Sequence, residues 1–524
     1  MMRVEGIVPL SKPRCDPLVL PARHVGKSHD DVIVHAPRGK WKNREAPTTD
    51  QEPSSTRPPL SSQEQPADQA TSTSKQLVQH GGQIPPTGRD GPRSRSTDSR
   101  PNNVLSSLHD TRGSRIHQAA LSTRSPVSDE KAKIDKLLVS KEAETLLAHY
   151  DQIICPHQIA QRADSAENPY RLYVLPLAYE QIGLLYAVLA LSACHLGHLN
   201  SDRHLYEAVA VNYRVNAITA LGAAIRKGCS GNFDKSERDG VFATIQILLL
   251  HDICETGISA HGAHISGAMS ICSQLMLDQR LTMDQERTVF FLGNLAWLDI
   301  IRAFSGPEKL CFTGELRERL LSLGNLRFEA VNGCPRELVL IIGKLLEQAK
   351  AHASGKLGVR QYVDMLQHSI HRLYLWDSSR CIYPDDNPLW ISVAEAFRHA
   401  CILRALRLLD VTEPAHEPRI QESVTAILDS VANVPGESPL IELMILPLFM
   451  AGADCLSPHS RHYILLRFSE IKARSEMSNT APRTLLEKVW QEREKRPKRD
   501  QSNVPWMFFT YDSESTHQDD YLII

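Results

Sequence analysis

The sequence predicts an all-α protein, and three observations carry that expectation. From about residue 130 onward apolar residues recur at helical spacing, separated by short breaks of Pro, Gly, Asn or Asp. No alternating strand pattern of comparable strength competes with them. Ahead of that point the chain is rich in Ser, Thr, Pro, Gln and Gly, as in EPSSTRPPLSSQEQPADQATSTSK, and holds too little apolar surface to offset chain entropy. The expected organisation is a disordered Ser/Pro-rich tail over 1–130, a multi-helical body over 131–510 and a C-terminal tail over 511–524.

Taken in order, the first helix is expected from Ser140, an N-cap type, through Leu146, Leu147 and Tyr150 to Ile154, with Pro156 after its end. A second runs from Tyr179 to about Gly197, where Leu184, Leu185, Val188, Leu189 and Leu191 form an apolar face wide enough for deep burial. Between Ser201 and Ile225, Leu205, Val209, Tyr213, Ala217 and Leu221 recur every four positions, with Arg203, Glu207 and Arg214 on the other sides. This reads as an amphipathic helix. The segment Ser236 to Glu255 contains VFATIQILLL, which alone resembles a buried strand, but its length and flanks favour a helix. Further helices are expected at about 260–278, 284–304, 336–353, 359–377, 388–410, 418–431, 437–455, 460–474 and 483–495.

With 42% hydrophobic and 23% charged residues the chain has an ordinary globular composition. Its net charge of −2 gives no broad electrostatic footprint for coating nucleic acid, so any DNA contact is expected to be local. The first 130 residues carry about 18 Lys and Arg against about 14 Asp and Glu, a balance of roughly +4. No apolar run reaches the ~18 residues of a membrane helix, and the opening MMRVEGIVPLSKPRC lacks the apolar centre of a secretory signal. Neither membrane nor secretion is expected. Eleven cysteines stand singly without a CxxC pair, a pattern of free thiols in a reducing compartment.

The densest chemistry lies at His251, Asp252, Glu255, His261 and His264, because imidazoles and carboxylates one helical turn apart can share a metal. A metal-dependent helical enzyme using His251, Asp252 and His264 is the alternative these residues raise, with a metal-bound water as nucleophile. Their order and number do not complete such a motif, and capping or packing explains them more simply. The pairs Asp385–Asp386 and Asp519–Asp520 lack the third carboxylate and the helical setting that a magnesium diphosphate site requires. There is no Walker loop, GxSxG elbow or dinucleotide fingerprint. No catalytic, cofactor-binding or metal residue is therefore assigned, no cofactor is expected, and the chain does not read as an enzyme. One basic run is distinct: Arg493, Lys495, Arg496, Lys498 and Arg499 around Pro497, either a nuclear-import signal or a solvated helix end that offsets the helix dipole.

Several segments in order resemble the fungal-specific transcription factor domain that accompanies zinc-cluster DNA-binding motifs. They begin with LLAHYDQIICP and NPYRLYVLPLA (Asn168, Pro169, Arg171, Leu175, Pro176), then the helix ending LALSACHL, then HGAHISGAMSIC with His264, Gly267 and Ala268. AWLDIIRAFSG, NGCPRELVLIIGKLLEQAK, AEAFRHACILRALRLL, ILPLFMAGADC with Pro447 and Gly452, and LLEKVWQEREK with Trp490 follow. The similarity spans almost all of 140–510. It implies a structural role for His264 and close helix packing at Gly267. It departs at His261, where the family usually has an aromatic residue.

The larger departure lies near the start. Members of that family usually carry six cysteines in two C-x2-C-x6-C sets that bind two zinc ions. This chain has Cys15, in KPRCD, and then no thiol before Cys155. The resemblance implies a nuclear transcription regulator of a metabolic or secondary-metabolite gene set, working through the transcription machinery, a DNA-binding partner or a homo- or heterodimer. DNA binding is then either lost, supplied by the partner, or encoded by an upstream exon. A plain interaction scaffold is the remaining alternative. Target genes, sign of regulation and effector are not written in the sequence.

Overall fold

Ser140 caps the helix that begins at Lys141, as its place before an apolar run predicts: its hydroxyl accepts from the Ala143 amide at 3.2 Å. The computed structural model describes residues 126–160, 168–200, 203–228, 233–259, 262–477, 479–497, 499–511 and 519–524. The expected tail up to residue 125 lies outside them, and residues 126–130 belong to helix α1 (Pro126–Leu138). What is described is all-α, apart from one two-residue strand pair.

Helix α2 (Lys141–His149) runs on through a π turn, Tyr150–Ile154, into α3 (Cys155–His157). The same device recurs at Tyr170–Val174 before α4 (Leu175–Ala178). In both, a buried tyrosine opens the wide turn and a proline follows six residues later, Pro156 after Tyr150 and Pro176 after Tyr170. Proline lacks an amide hydrogen and clashes with the carbonyl four residues back, and a π turn ahead of it shifts that carbonyl away. Pro156 therefore sits inside the helical run instead of ending it.

Helix α5 (Ile182–Leu199) is buried as its apolar width predicts, packed between α6 (Arg203–Gly228) and α7 (Lys235–Glu255). It corrects one expectation. With mean hydropathy 1.7 over 18 residues, α5 is long and apolar enough to cross a membrane, as is His204–Gly228 at 1.2, although 67% of the α5 window is enclosed by the surrounding helices. In α6 the expected stripe holds only in part: Tyr213, Ala217 and Leu221 are buried, whereas Leu205 is 65% exposed. A spacing of four advances each residue by about 40° around a helix of 3.6 residues per turn, so five repeats cannot stay on one face. Helix α7 opens on a capping box, with Glu237 N donating to Asp234 Oδ1 at 2.8 Å and Asp234 N to Glu237 Oε2 at 3.4 Å. VFATIQILLL is thus helical, and its burial on all sides accounts for the missing periodicity.

After α7 comes β1 (Ile258–Ser259), paired antiparallel with β2 (Asp520–Tyr521), then α8 (Gly262–Gln274), α9 (Leu277–Arg280) and α10 (Glu286–Ala303). Like α1 and the 170–178 run, α11 (Gly314–Leu323) and α12 (Arg327–Asn332) are helical where sequence reasoning placed no helix. The rest follows expectation: α13 (Arg336–Ala353), α14 (Val359–Leu375), α15 (Leu389–Leu409), α16 (Pro418–Ala432), α17 (Ile445–Asp454), α18 (Pro458–Ser475) and α19 (Ala481–Lys495).

These elements build two hydrophobic cores, and α10 serves both. Its Phe291, Leu292, Leu295 and Leu298 pack with α2, α5, α7 and α8, while Trp297, Ile300, Ile301 and Ala303 pack with α13, α15 and α17. The i, i+3, i+4 apolar spacing runs around most of the α10 circumference, which is what a helix shared between two cores requires.

Candidate functional site

Where the two cores meet beside α10 there is a cavity of about 470 Å3. Helix α7 lines it with Gln246, Leu250 and Ile253, spaced i, i+4, i+7 on one face, and α10 with Asn294, Trp297 and Leu298. From the other core come Phe397 of α15, Ile445 and Leu446 of α17, and Phe468, Ile471 and Lys472 of α18. The enclosure is mainly apolar and its size lies in the range of small-molecule pockets.

Two amides are the exceptions. Gln246 is 1% exposed; its Nε2 donates to the Tyr170 hydroxyl at 2.9 Å, and its Oε1 has no partner among the described residues. Asn294 is 3% exposed; its Oδ1 accepts from Asn332 Nδ2 at 2.9 Å, and its own Nδ2 has no partner among them. Tyr170, Asn332 and both amides all line the cavity. An unmet buried polar atom carries a desolvation penalty of about 1–3 kcal/mol, which a hydrogen-bonding guest would relieve. Burial holds the Tyr170 hydroxyl well above its ordinary pKa, so it stays protonated.

Most of the charges around the cavity are paired. Glu442 lies 2.5 Å from Arg474 Nε and 3.5 Å from His157 Nδ1, and Arg483 Nε lies 2.8 Å from Glu487 Oε1. Lys472 is exposed at the mouth. The wall also includes Ile524. Asn479 Nδ2 donates to the Ile524 carbonyl at 2.9 Å, and Leu522 N donates to Gly257 O at 2.8 Å, so residues 519–524 form part of the site.

The residues singled out in the sequence lie elsewhere. Asp252 is fully buried and receives Arg214 Nη2 at 2.7 Å and Ser259 Oγ at 2.5 Å. His251, Asp252 and Glu255 bring ligand atoms within 4.8 Å of one another, but the Arg214 guanidinium, also 3.1 Å from Glu255, supplies the positive charge there. Burial lowers the pKa of His264, opposed by Asp252; His261 lies outside the described residues. A second group that could hold a metal, Cys194, His198 and Cys254, was missed in the sequence because its thiols are on different helices, although Cys194 and His198 are one turn apart on α5. Asp385 accepts from Trp390 Nε1 at 2.8 Å and from Asn387 N at 3.0 Å, as a turn residue does.

In the basic run, Arg493 donates to the carbonyls of Cys455 at 3.0 Å and Ala453 at 2.7 Å, satisfying the C-terminus of α17. Arg496 holds Ser502 and Asn503 carbonyls at 3.3 and 3.1 Å. Lys495 and Arg499 are exposed, and Lys498 lies outside the described residues. The nine described cysteines are free thiols, most of them buried. Gly267 is also not a packing site: a Cβ there would meet its nearest neighbour, Ile225, only at 4.0 Å.

The cavity residues escaped sequence reasoning because each helix face reads as ordinary core, and only the packing of distant helices leaves a void between them. Comparison with curated proteins and with solved structures finds no match. Comparison with protein families matches residues 145–517 to the fungal specific transcription factor domain, a span covering α5 through α19 and both walls of the cavity, and the chain belongs to that family.

Proposed function

We propose that this transcription regulator acts in the nucleus on a metabolic gene set, with its helical domain as the sensor and a partner regulator making the DNA contact. The observation that carries the reading is the cavity beside α10: both cores contribute walls to it, so an occupant biases how the two cores pack. Such a bias is what a regulatory domain needs in order to pass a chemical signal to a surface that other proteins read. Import through the basic run is supported by the exposure of Lys495 and Arg499, whereas Arg493 and Arg496 hold carbonyls of the fold.

The test fuses the full chain to a foreign DNA-binding module and reads a reporter, with Leu298→Trp filling the cavity. The expected result is an output different from that of the module alone, shifted further by Leu298→Trp. A fusion without effect in either direction would leave only an interaction scaffold.

A further inference from the structure

We infer that the cavity beside α10 takes an uncharged, mainly apolar ring compound bearing a hydroxyl group, which donates to Gln246 Oε1 and accepts from Asn294 Nδ2. The inference rests on the effector reading above and adds the chemical class.

The polar end of the guest is set by what the walls leave unmet. Gln246 and Asn294 are each nearly fully buried, each has one end held by a neighbour, and each has its other end without a partner. The held ends are anchored: Tyr170, which receives Gln246, packs edge-on against Phe290 at 5.3 Å between ring centroids, and Phe290 is one turn before Asn294 on α10. Gln246 is therefore held through a tyrosine that is itself packed in place, and Asn294 through Asn332. Turning the Gln246 amide over would let its oxygen accept from the tyrosine and leave its Nε2 as the unmet end, and a guest hydroxyl oxygen, with two lone pairs, would then accept from both amides. As placed, the pair offers one acceptor and one donor, which a hydroxyl also matches, being both at once.

The absence of charge is set by the ion pairs. Glu442 is answered by Arg474 and His157, and Arg483 by Glu487. A carboxylate or ammonium guest placed against the amides would lose its hydration without a buried counter-charge. Lys472 is exposed, so it could meet an acid only where solvent reaches. The apolar body is set by Leu250, Ile253, Trp297, Leu298, Phe397 and Leu446, and by a volume of about 470 Å3 that suits two or three rings. Ordered water is the competing occupant of the amide pair, and the choice of probes separates it.

Three probes of one shape are titrated into the full-length protein: biphenyl, biphenyl-4-ol and biphenyl-4-carboxylate. A site built to hydrogen-bond a hydroxyl discriminates strongly against the analogue that lacks it. Biphenyl-4-ol is expected to bind at least tenfold more tightly than either of the others. In Asn294→Leu and in Gln246→Met, the latter also combined with Tyr170→Phe, the advantage over biphenyl is expected to vanish while biphenyl binding is kept. The ranking on the unaltered chain stands whether or not a variant folds. Equal binding of biphenyl and biphenyl-4-ol would overturn the inference by assigning the amides to water, and tightest binding of the carboxylate would overturn it in favour of an acid at Lys472. If no probe binds, the class is overturned, and the Leu298→Trp reporter decides the wider reading: a shifted output keeps the effector role, and an unshifted one ends it too.

Discussion

Asp520 and Arg302 meet across 218 residues of chain, with Oδ2 3.2 Å from Nη1 and both side chains less than a tenth exposed. Arg302 also holds Asp299 at 3.1 Å, and Lys309 Nζ approaches the other Asp520 oxygen at 3.2 Å. Gly262 leaves the space this requires, since a Cβ there would lie 1.8 Å from Asp520 Oδ2. The contact fastens residues 519–524, which carry the cavity-lining Ile524, to the helix shared by both cores. Removing one member of a buried ion pair typically costs about 3–5 kcal/mol when the other charge is left without compensation, but Asp299 still answers Arg302 here. Asp520→Ala is therefore expected to lower the unfolding free energy by less, about 1–3 kcal/mol. Amide exchange at Leu522, whose N–H pairs with Gly257, is expected to quicken with it.

Arg407 and Asp454 make the tightest buried pair between α15 and the C-terminal end of α17, at 2.5 Å for Nη2–Oδ1 and 3.3 Å for Nε–Oδ2, each 4% exposed. Asp454→Leu alone strands a guanidinium and is expected to destabilise by about 3–5 kcal/mol. The double variant Arg407→Met with Asp454→Leu removes both charges and is expected to recover most of that loss, because well-packed apolar replacements of buried pairs are often neutral. Chemical denaturation of the two single variants and the double gives the coupling directly. A double variant as unstable as the sum of the singles would refute it.

Helix positions were legible wherever one face was apolar and the other polar, as in α13, α14 and α16, and where a cap marked the start, as at Ser140, whereas the Asp234 capping box went unread. Short α11 and α12 were not, because they contribute few buried residues each and lean on neighbours far away in sequence. The Y-x5-P spacing of Tyr150–Pro156 and Tyr170–Pro176 was a usable signal for the two π turns. The cavity left no trace, since Gln246 and Asn294 read as polar interruptions of core helices until Tyr170 and Asn332 are placed beside them.

Gly452 and Gly267 both stand in segments that resemble the family, yet only one sits where backbone must be bare. At Gly452 a Cβ would lie 2.5 Å from Leu486 Cδ1, within the packing of α17 on α19, and the Gly452 carbonyl accepts from Trp490 Nε1 at 2.9 Å. At Gly267 the nearest atom would be 4.0 Å away on a half-buried face of α8. Gly452→Ala is therefore expected to destabilise by about 1–3 kcal/mol through overpacking. Gly267→Ala is expected to stabilise by about 0.5–1 kcal/mol, the helix-propensity difference between the two residues. Thermal melts of the two variants should move in opposite directions.

Acid should loosen the fold through buried histidines that the folded state holds neutral. Burial, aided by the His195 ring 3.0 Å away, lowers the pKa of His149 to about 4, and burial with the neighbouring Arg398 does the same for His399. Burial lowers His195 and His264 as well. In the unfolded chain each would take up a proton near its ordinary value of 6.5. Below that pH the unfolded state binds protons that the folded state refuses, so stability is fully present above pH 6.5 and falls as the pH drops toward 4. After allowance for partial exposure, His149 and His399 together are expected to remove about 2 kcal/mol between pH 7 and pH 5. The described carboxylates with lowered pKa, such as Asp410 and Asp377, titrate below 3.8, while burial raises that of Asp299, which therefore takes up a proton more readily in the fold and opposes the loss. Urea midpoints at pH 7 and pH 5 should differ accordingly, and the combination of His149→Gln with His399→Gln should flatten the difference; an unchanged slope would show that other groups carry it.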